Sequence, residues 1–104
     1  DRVLEISPAG RIVWTYAQGL NWPRDADRLP SGNTLITDSK NNRVIEVTPQ
    51  GEIVWEYSWG LRLPYEADRL PGGNTLIADS RNRWVIEASP AGEVVWSYPS
   101  RPTP

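Results

Sequence analysis

Residues 30–55 read PSGNTLITDSKNNRVIEVTPQGEIVW, and residues 71–96 read PGGNTLIADSRNRWVIEASPAGEVVW. The two stretches align without a gap at a spacing of 41 residues, which also separates Trp14, Trp55 and Trp96. Similarity this close over a whole unit indicates recent duplication of that unit or deliberate design. The organisation of the chain therefore follows from the contents of one 41-residue unit.

Each unit consists of short apolar runs separated by turn clusters such as Pro30-Ser31-Gly32-Asn33 and Pro49-Gln50-Gly51. Runs of this length, rich in Val, Ile, Leu, Thr and Trp, are typical of strands. Thr34-Leu35-Ile36 and Ile53-Val54-Trp55 are continuously apolar, as expected of strands covered on both faces. The predicted strands are A at 24–29, B at 33–37, C at 43–48 and D at 52–57, followed by A at 65–70, B at 74–78, C at 84–89 and D at 93–98.

Four short strands in a period of about 40–45 residues, with Gly-marked turns, are typical of β-propeller blades, in which each sheet packs between two others. The predicted fold is therefore all-β, with four-stranded antiparallel blades. A β-solenoid or a stack of separate hairpins is the alternative. The predicted divisions are a half blade of strands C and D at 1–17, full blades at 18–58 and 59–98, and a Pro-rich tail at 99–104.

The composition restricts the classes of function. The chain has 104 residues, a net charge of −2 and a charged fraction of 23%, which are typical of a small soluble domain. Positive and negative charges are interspersed and no apolar run reaches the roughly 20 residues of a spanning helix, so neither a nucleic acid nor a membrane is expected as a partner. Cys and His are absent, which excludes disulfides, thiol chemistry and a histidine base. We predict no cofactor, and the composition does not indicate a cellular compartment.

Two motifs resemble those of known proteins. PGGNTLIADSRNR at 71–83 and PQGEIVW at 49–55 resemble the repeats of NHL, arylsulfotransferase-like and quinoprotein-type β-propellers, and the resemblance covers the whole chain. In those families an Asp-Ser-x-Asn-x-Arg segment joins strands B and C, and a Trp four residues after Gly fastens one blade to the next. The resemblance therefore implies that Trp14, Trp55 and Trp96 are blade-docking residues. It implies no activity, because the chain lacks the sulfo-acceptor His and the quinone-contacting residues cannot be matched.

Another recurrent set of polar residues stands between predicted strands B and C. Asp38 and Asp79 each end a strand, and Arg43 and Arg83 follow within five residues. An Asp at a strand end accepts hydrogen bonds from turn N–H groups, and an Arg can pair with it. We therefore predict that these four residues are structural turn ties. A repeated anion or metal site is the alternative.

Carboxylates occur in pairs on each predicted A strand, Asp25 with Asp27 and Glu66 with Asp68. Residues two apart lie on one face of a strand, so converging A strands could offer oxygen ligands to a cation such as calcium. An Arg follows each pair, and neutralisation of the carboxylates by that Arg is the interpretation we favour. The alternative function is a metal-assisted hydrolase or lyase that uses these carboxylates. We predict no catalytic residue and no metal site.

The loops from strand D into strand A differ most between the units. Gly, Leu and Pro recur there, while the residues between them change. In a propeller such loops reach the face around the central channel, where exposed aromatic residues beside Arg can stack on a sugar or anchor a protein. Each Trp could instead cover only the apolar side of its own loop. The predicted ligand-binding residues are Trp22, Arg24, Trp59, Arg62 and Tyr65, together with Asp25 and Glu66.

An arc of two and a half blades would leave apolar faces uncovered at both ends, and such faces are normally covered by a partner. A head-to-tail contact closes into a ring when its rotation permits. We therefore expect a homo-oligomer, most simply a dimer, that acts as a non-catalytic binder of a carbohydrate or a protein. A purely structural or adhesive extracellular repeat is a further alternative. An excerpt of a longer propeller, or an engineered propeller fragment, is the alternative to self-assembly.

Overall fold

A computed structural model describes residues 1–99. Apart from Pro99, the predicted Pro-rich tail lies outside the described residues. Those residues form ten strands and one short 3-10 turn, Ser39–Asn41, with no α-helix among them. The strands are β1 Val3–Ile6, β2 Ile12–Tyr16, β3 Pro23–Arg28, β4 Thr34–Asp38, β5 Arg43–Val47, β6 Ile53–Tyr57, β7 Pro64–Arg69, β8 Thr75–Asp79, β9 Trp84–Ala88 and β10 Val94–Tyr98.

The strands form three antiparallel sheets in which each strand pairs with the next along the chain. Sheet 1 is the hairpin β1–β2, sheet 2 has the order β3-β4-β5-β6, and sheet 3 has the order β7-β8-β9-β10. The predicted all-β class is confirmed, and the eight predicted strands agree with the observed ones to within one residue at each end. Short apolar runs between turns give this result because each turn allows only a local hairpin connection.

The turns between the last two strands of each sheet are the same. In sheet 2, Gly51 N–H donates to the Thr48 carbonyl oxygen at 2.9 Å, and Thr48 N–H donates to the Glu52 carbonyl oxygen at 2.8 Å. Gly51 has φ of 88°, a left-handed conformation that an L side chain disfavours. The Pro-x-Gly segment therefore sets the register of each outer hairpin.

Sheet 2 packs between the other two sheets. Alternate side chains of β4 point to opposite neighbours, since Leu35 belongs to the core shared with sheet 3 and Ile36 to the core shared with sheet 1. Every residue of β4 is buried, as its continuous apolar pattern predicted. The core between sheets 2 and 3 contains Leu29, Leu35, Val44, Tyr57, Leu61, Ala67, Ile77, Ile86 and Ala88.

The last strand of each sheet differs from the prediction. Ile53 and Val54 of β6 are exposed, although their apolar run predicted a strand covered on both faces. β6 is an edge strand that pairs only with β5, and the neighbouring sheets leave Ile53 and Val54 uncovered there. In the described part of the chain, no helix is long and apolar enough to cross a membrane.

Candidate functional site

Asp38 and Asp79 are completely buried and tie together the turns of their own sheets. The Asp38 carboxylate accepts hydrogen bonds from Asn21 N–H at 2.8 Å, Asn41 Nδ2 at 2.7 Å and Arg43 Nε at 2.8 Å. Asn21 lies in the loop that enters sheet 2, so one carboxylate joins that loop to the turn after β4. These contacts support the predicted structural role of Asp38 and Arg43.

The corresponding tie in sheet 3 has a different third donor. Asp79 accepts from Arg62 N–H at 2.8 Å, Asn82 Nδ2 at 2.6 Å and Trp84 Nε1 at 3.0 Å. The predicted side-chain tie from Arg83 is wrong, because Trp84 occupies the position of Arg43 at the 41-residue spacing. Arg83 instead donates its backbone N–H to the Asp79 carbonyl oxygen at 2.9 Å.

The tryptophan of each outer hairpin contacts the next sheet. Trp14 Nε1 donates to the Pro49 carbonyl oxygen at 2.9 Å, and Trp55 Nε1 donates to the Pro90 carbonyl oxygen at 3.1 Å. Both rings are partly rather than fully buried. Trp96, the third member of the series, is 49% exposed, because the described residues include no sheet beyond sheet 3.

An ion pair accompanies each of these contacts. Arg28 pairs with Glu5 at 2.7 Å, and Arg69 pairs with Glu46 at 2.9 Å. Each guanidinium also lies over the tryptophan ring of the same contact. Arg28 is 5.2 Å from the Trp14 ring centroid, and Arg69 is 5.4 Å from the Trp55 ring centroid. The expectation that these arginines neutralise the carboxylates of their own strands is therefore wrong. We call the Trp-to-Pro hydrogen bond with its Glu–Arg pair the docking contact.

The carboxylates of β3 and β7 converge where sheets 2 and 3 meet. Asp25, Glu66 and Asp68 each present one oxygen, and the three oxygens lie within 4.8 Å of one another. Asp25 Oδ2 also accepts from Ala67 N–H at 3.3 Å, and Asp27 Oδ2 is buried. Carboxylate oxygens at this spacing could hold a divalent cation such as calcium.

Mutual repulsion dominates the electrostatics of this cluster. The neighbouring charge of Asp68 raises the pKa of Glu66 above its ordinary value of 4.5. Burial raises the pKa of Asp27 above 3.8, and the charges of Asp25 and Asp68 add to the effect. The folded state therefore binds these protons more tightly than the unfolded chain, and the cluster opposes folding once it is ionised.

The raised pKa values of Glu66 and Asp27 lead to a prediction about how stability depends on pH. Because the folded pKa values are raised, the destabilisation is absent below the ordinary values of 3.8 and 4.5, grows as pH rises through the folded values, and is complete above them. Asp68→Asn should therefore raise the unfolding temperature by a few degrees at pH 7 and by less at pH 3. Thermal unfolding followed by circular dichroism checks this, with Glu52→Gln as a control outside the cluster. An equal shift at both pH values would contradict it.

A β-bulge displaces the same residue in two sheets. Register shifts between Pro23 and Asp25 and between Pro64 and Glu66 leave Arg24 and Tyr65 as the extra residues of their strands. Bulges redirect a side chain and are common next to binding sites. Here the bulges bring the two side chains together across the sheet junction, with the Arg24 guanidinium 4.5 Å from the Tyr65 ring centroid.

Trp22 and Lys40 extend this contact into a row of alternating cations and rings. Arg24 lies 4.7 Å from the Trp22 ring centroid, and Lys40 Nζ lies 4.9 Å from it. Trp22 is 45% and Tyr65 is 50% exposed. We call Lys40, Trp22, Arg24 and Tyr65 the bulge row.

The structure thus brings together three of the predicted ligand-binding residues, Trp22, Arg24 and Tyr65, and separately Asp25 with Glu66. Trp59 is 51% exposed in the loop after β6. The hydrogen bonds of Arg62 are made by its backbone, whose N–H donates to Asp79 Oδ1 and whose carbonyl oxygen accepts from Arg81 N–H at 3.0 Å. Lys40 was missed by the sequence analysis, because it belongs to the turn after β4 and only the fold places it beside Trp22.

Comparisons with known proteins establish the fold alone. No protein-family model matches the chain, and no curated protein matches it. Among solved structures, the chain is similar to a crystal structure of a protein of unknown function from Bacteroides caccae, with a TM-score of 0.67 and 24% sequence identity. The match covers 95% of this chain and 39% of that one, so the chain spans well under half of its neighbour's length.

Proposed function

We propose that the chain is a non-catalytic β-propeller segment that assembles through its docking contact and presents the loops before β3 and β7 as a binding face. The observation that supports this is the repetition of the contact. Sheet 1 meets sheet 2, and sheet 2 meets sheet 3, through the same hydrogen bond and the same ion pair. Packing of each sheet against the next by one recurrent interface is typical of propellers and other repeat architectures.

Sheet 3 carries the tryptophan and the glutamate of a further docking contact. Glu87 and Trp96 occupy the positions that Glu5 and Trp14 occupy in sheet 1, at twice the 41-residue spacing. Glu87 accepts a hydrogen bond from Asn74 Nδ2 at 2.7 Å, as Glu46 does from Asn33 at 2.8 Å before pairing with Arg69. Sheet 3 of one copy therefore matches the face of a second copy that carries the proline carbonyl and the arginine of the contact.

The proline carbonyl and the arginine are those of Pro49 and Arg28, on the surface of sheet 2 that the sheet 1 hairpin covers. The hairpin covers it incompletely, since a cleft of about 210 Å³ remains between the two sheets. A two-stranded hairpin is only marginally stable by itself, so it is a weak competitor for this surface. Four-stranded sheet 3 from a second copy can then displace the hairpin and pair Glu87 with Arg28. The residues that line the cleft are Val3, Leu4, Glu5, Trp14, Ala26, Arg28 and Thr34.

Sedimentation equilibrium tests the proposal. The wild-type chain should have a mass that is a small multiple of 11.7 kDa and that stays constant once the assembly is saturated. Trp96→Ala should shift the distribution towards 11.7 kDa, whereas Trp59→Ala should not, because Trp59 is an exposed tryptophan outside the docking contact. A folded wild-type species of 11.7 kDa at all concentrations would show that the chain does not assemble.

The carboxylate cluster supports a second candidate, metal-assisted hydrolysis or elimination. The supporting observation is that Asp25, Glu66 and Asp68 converge from two sheets. Their mutual repulsion is what a divalent cation would relieve. If this candidate is correct, calcium should raise the unfolding temperature of the wild-type chain and not that of Asp68→Asn, and the metal should be recovered with the purified protein.

A further inference from the structure

The guanidinium of Arg24 is held between two aromatic rings. The Tyr65 ring centroid lies 4.5 Å and the Trp22 ring centroid 4.7 Å from its central carbon. Contact with ring faces restrains the guanidinium without using its hydrogen-bond donors, because the N–H groups lie in the guanidinium plane. Arg24 is thus positioned while its donors stay available.

Among the described residues, three arginines have a carboxylate partner, whereas Arg24 is one of several that have none. Arg28, Arg43 and Arg69 each form an ion pair at 2.7–2.9 Å. In the described chain, neither Arg24 nor Lys40 forms an ion pair, although Arg24 directly precedes Asp25. What distinguishes Arg24 is its place against two rings, which leaves its hydrogen-bond donors available to an anion from outside the chain.

The residue two positions before each bulge residue has a left-handed backbone conformation. Trp22 has φ of 59°, which is uncommon for a bulky residue, and its N–H donates to the Asp1 carboxylate of sheet 1. Leu63, the equivalent residue before β7, has φ of 50° and donates its N–H to Asn42 Oδ1 at 2.9 Å. Each preceding sheet therefore fixes the loop in front of a bulge, and conformations of this kind cluster at ligand-binding sites.

We propose that the bulge row binds an acidic polysaccharide through a hexuronate residue, with the Arg24 guanidinium on the carboxylate and the exposed part of the Tyr65 ring against the sugar ring. A carboxylate matches the paired donors of a guanidinium, and a pyranose presents the C–H face that stacks on aromatic rings. The nearby carboxylates Asp25 and Glu66 can accept hydrogen bonds from sugar hydroxyls. Asp25 and Glu66 also repel an approaching anion, so recognition of the hexuronate depends on the direct ion pair between its carboxylate and Arg24. This inference deepens the binding part of the proposed function.

Isothermal titration calorimetry with an α-1,4-linked galacturonate tetramer tests the inference, in buffer with a chelator so that no divalent ion bridges carboxylates. Cellotetraose is the neutral sugar control, and tetraglutamate is the anionic control without a sugar ring. We expect binding of the galacturonate tetramer and at least about tenfold weaker binding of both controls, because each lacks one of the two recognised groups. Equal affinity for tetraglutamate, or no binding of the galacturonate tetramer at millimolar concentration, would overturn the inference.

Variants then test the residues. Arg24→Gln should weaken galacturonate binding about tenfold or more, since a hydrogen bond to a charged group is lost. Arg11→Gln is the matched control, because Arg11 is exposed in the turn of the sheet 1 hairpin, away from the bulge row. Asp25→Asn should strengthen binding about two- to threefold by removing a nearby like charge. Equal losses in Arg24→Gln and Arg11→Gln would refute the role of Arg24.

Trp22→Asn is a second test of the bulge row, chosen so that the variant still folds. Asn tolerates the left-handed conformation found at Trp22, so Trp22→Asn should leave the unfolding temperature almost unchanged and still weaken galacturonate binding. Full binding by a folded Trp22→Asn variant would count against the row. The sedimentation experiment is independent of these titrations, so a chain that assembles without binding galacturonate refutes this inference alone.

Discussion

Replacement of Asp38 by alanine should lower the free energy of unfolding by about 3–5 kcal/mol, the cost of leaving a buried charge without its partner. Asp38 is fully buried, and the Arg43 side chain that it binds is only 18% exposed. Without Asp38, the remaining carboxylate near Arg43 is Glu56 at 3.9 Å, which is itself half exposed. Asn21 N–H and Asn41 Nδ2 would also lose their acceptor. Urea denaturation gives the free energy difference.

Asp79→Ala is the matched comparison. Asp79 is equally buried and accepts the same number of hydrogen bonds, but its third donor is the neutral indole of Trp84. Its loss should therefore cost about 1–3 kcal/mol, the range for buried donors that lose an acceptor. Equal costs for Asp79→Ala and Asp38→Ala would show that the loss of the ion pair with Arg43 adds nothing to the destabilisation.

Replacement of Trp55 by alanine should cost about 2–4 kcal/mol, slightly below the range for fully buried large aromatic residues because the ring is partly exposed. The substitution removes the hydrogen bond to the Pro90 carbonyl, the ring under Arg69 and apolar packing between sheets 2 and 3. Chemical denaturation under conditions in which the chain is monomeric measures this cost without a contribution from assembly.

Trp96→Ala is the internal control for Trp55→Ala, because the two residues are equivalent in the repeat. Trp96 is 49% exposed and has no sheet to dock against in the described residues. Its removal should change the stability of the monomer by less than about 1 kcal/mol, as for a surface substitution. Equal losses at the two positions would mean that the tryptophan stabilises its own sheet rather than the junction.

The strands were predictable because their determinants are local. Turn clusters such as Pro49-Gln50-Gly51 act within a few residues, and the observed strands begin and end where these clusters allow. Partners across the junctions were not predictable in the same way. Arg28 pairs with Glu5, 23 residues earlier, and only the packing of sheet 1 on sheet 2 brings the two together. Sequence proximity had favoured carboxylates on the same strand.

The candidate site was predicted in its residue types and missed in its geometry. Exposed Trp22 and Tyr65 beside Arg24 followed from the variable loops, but no sequence pattern signals that Arg24 and Tyr65 are the extra residues of two bulges. The error at Arg83 has a simpler origin. It matched residue type rather than spacing, and the 41-residue spacing places Trp84 opposite Arg43.

The acceptors of the docking hydrogen bonds are main-chain carbonyls, those of Pro49 and Pro90. Substitution of a side chain leaves a carbonyl oxygen in place, so the acceptor of this hydrogen bond tolerates mutation better than the donating tryptophan does. A newly duplicated unit would find an acceptor on its neighbour at once. The hydrogen bond between units is thus independent of the side chains in the accepting turn, while the loops around Trp22 and Leu63 can differ from one unit to the next.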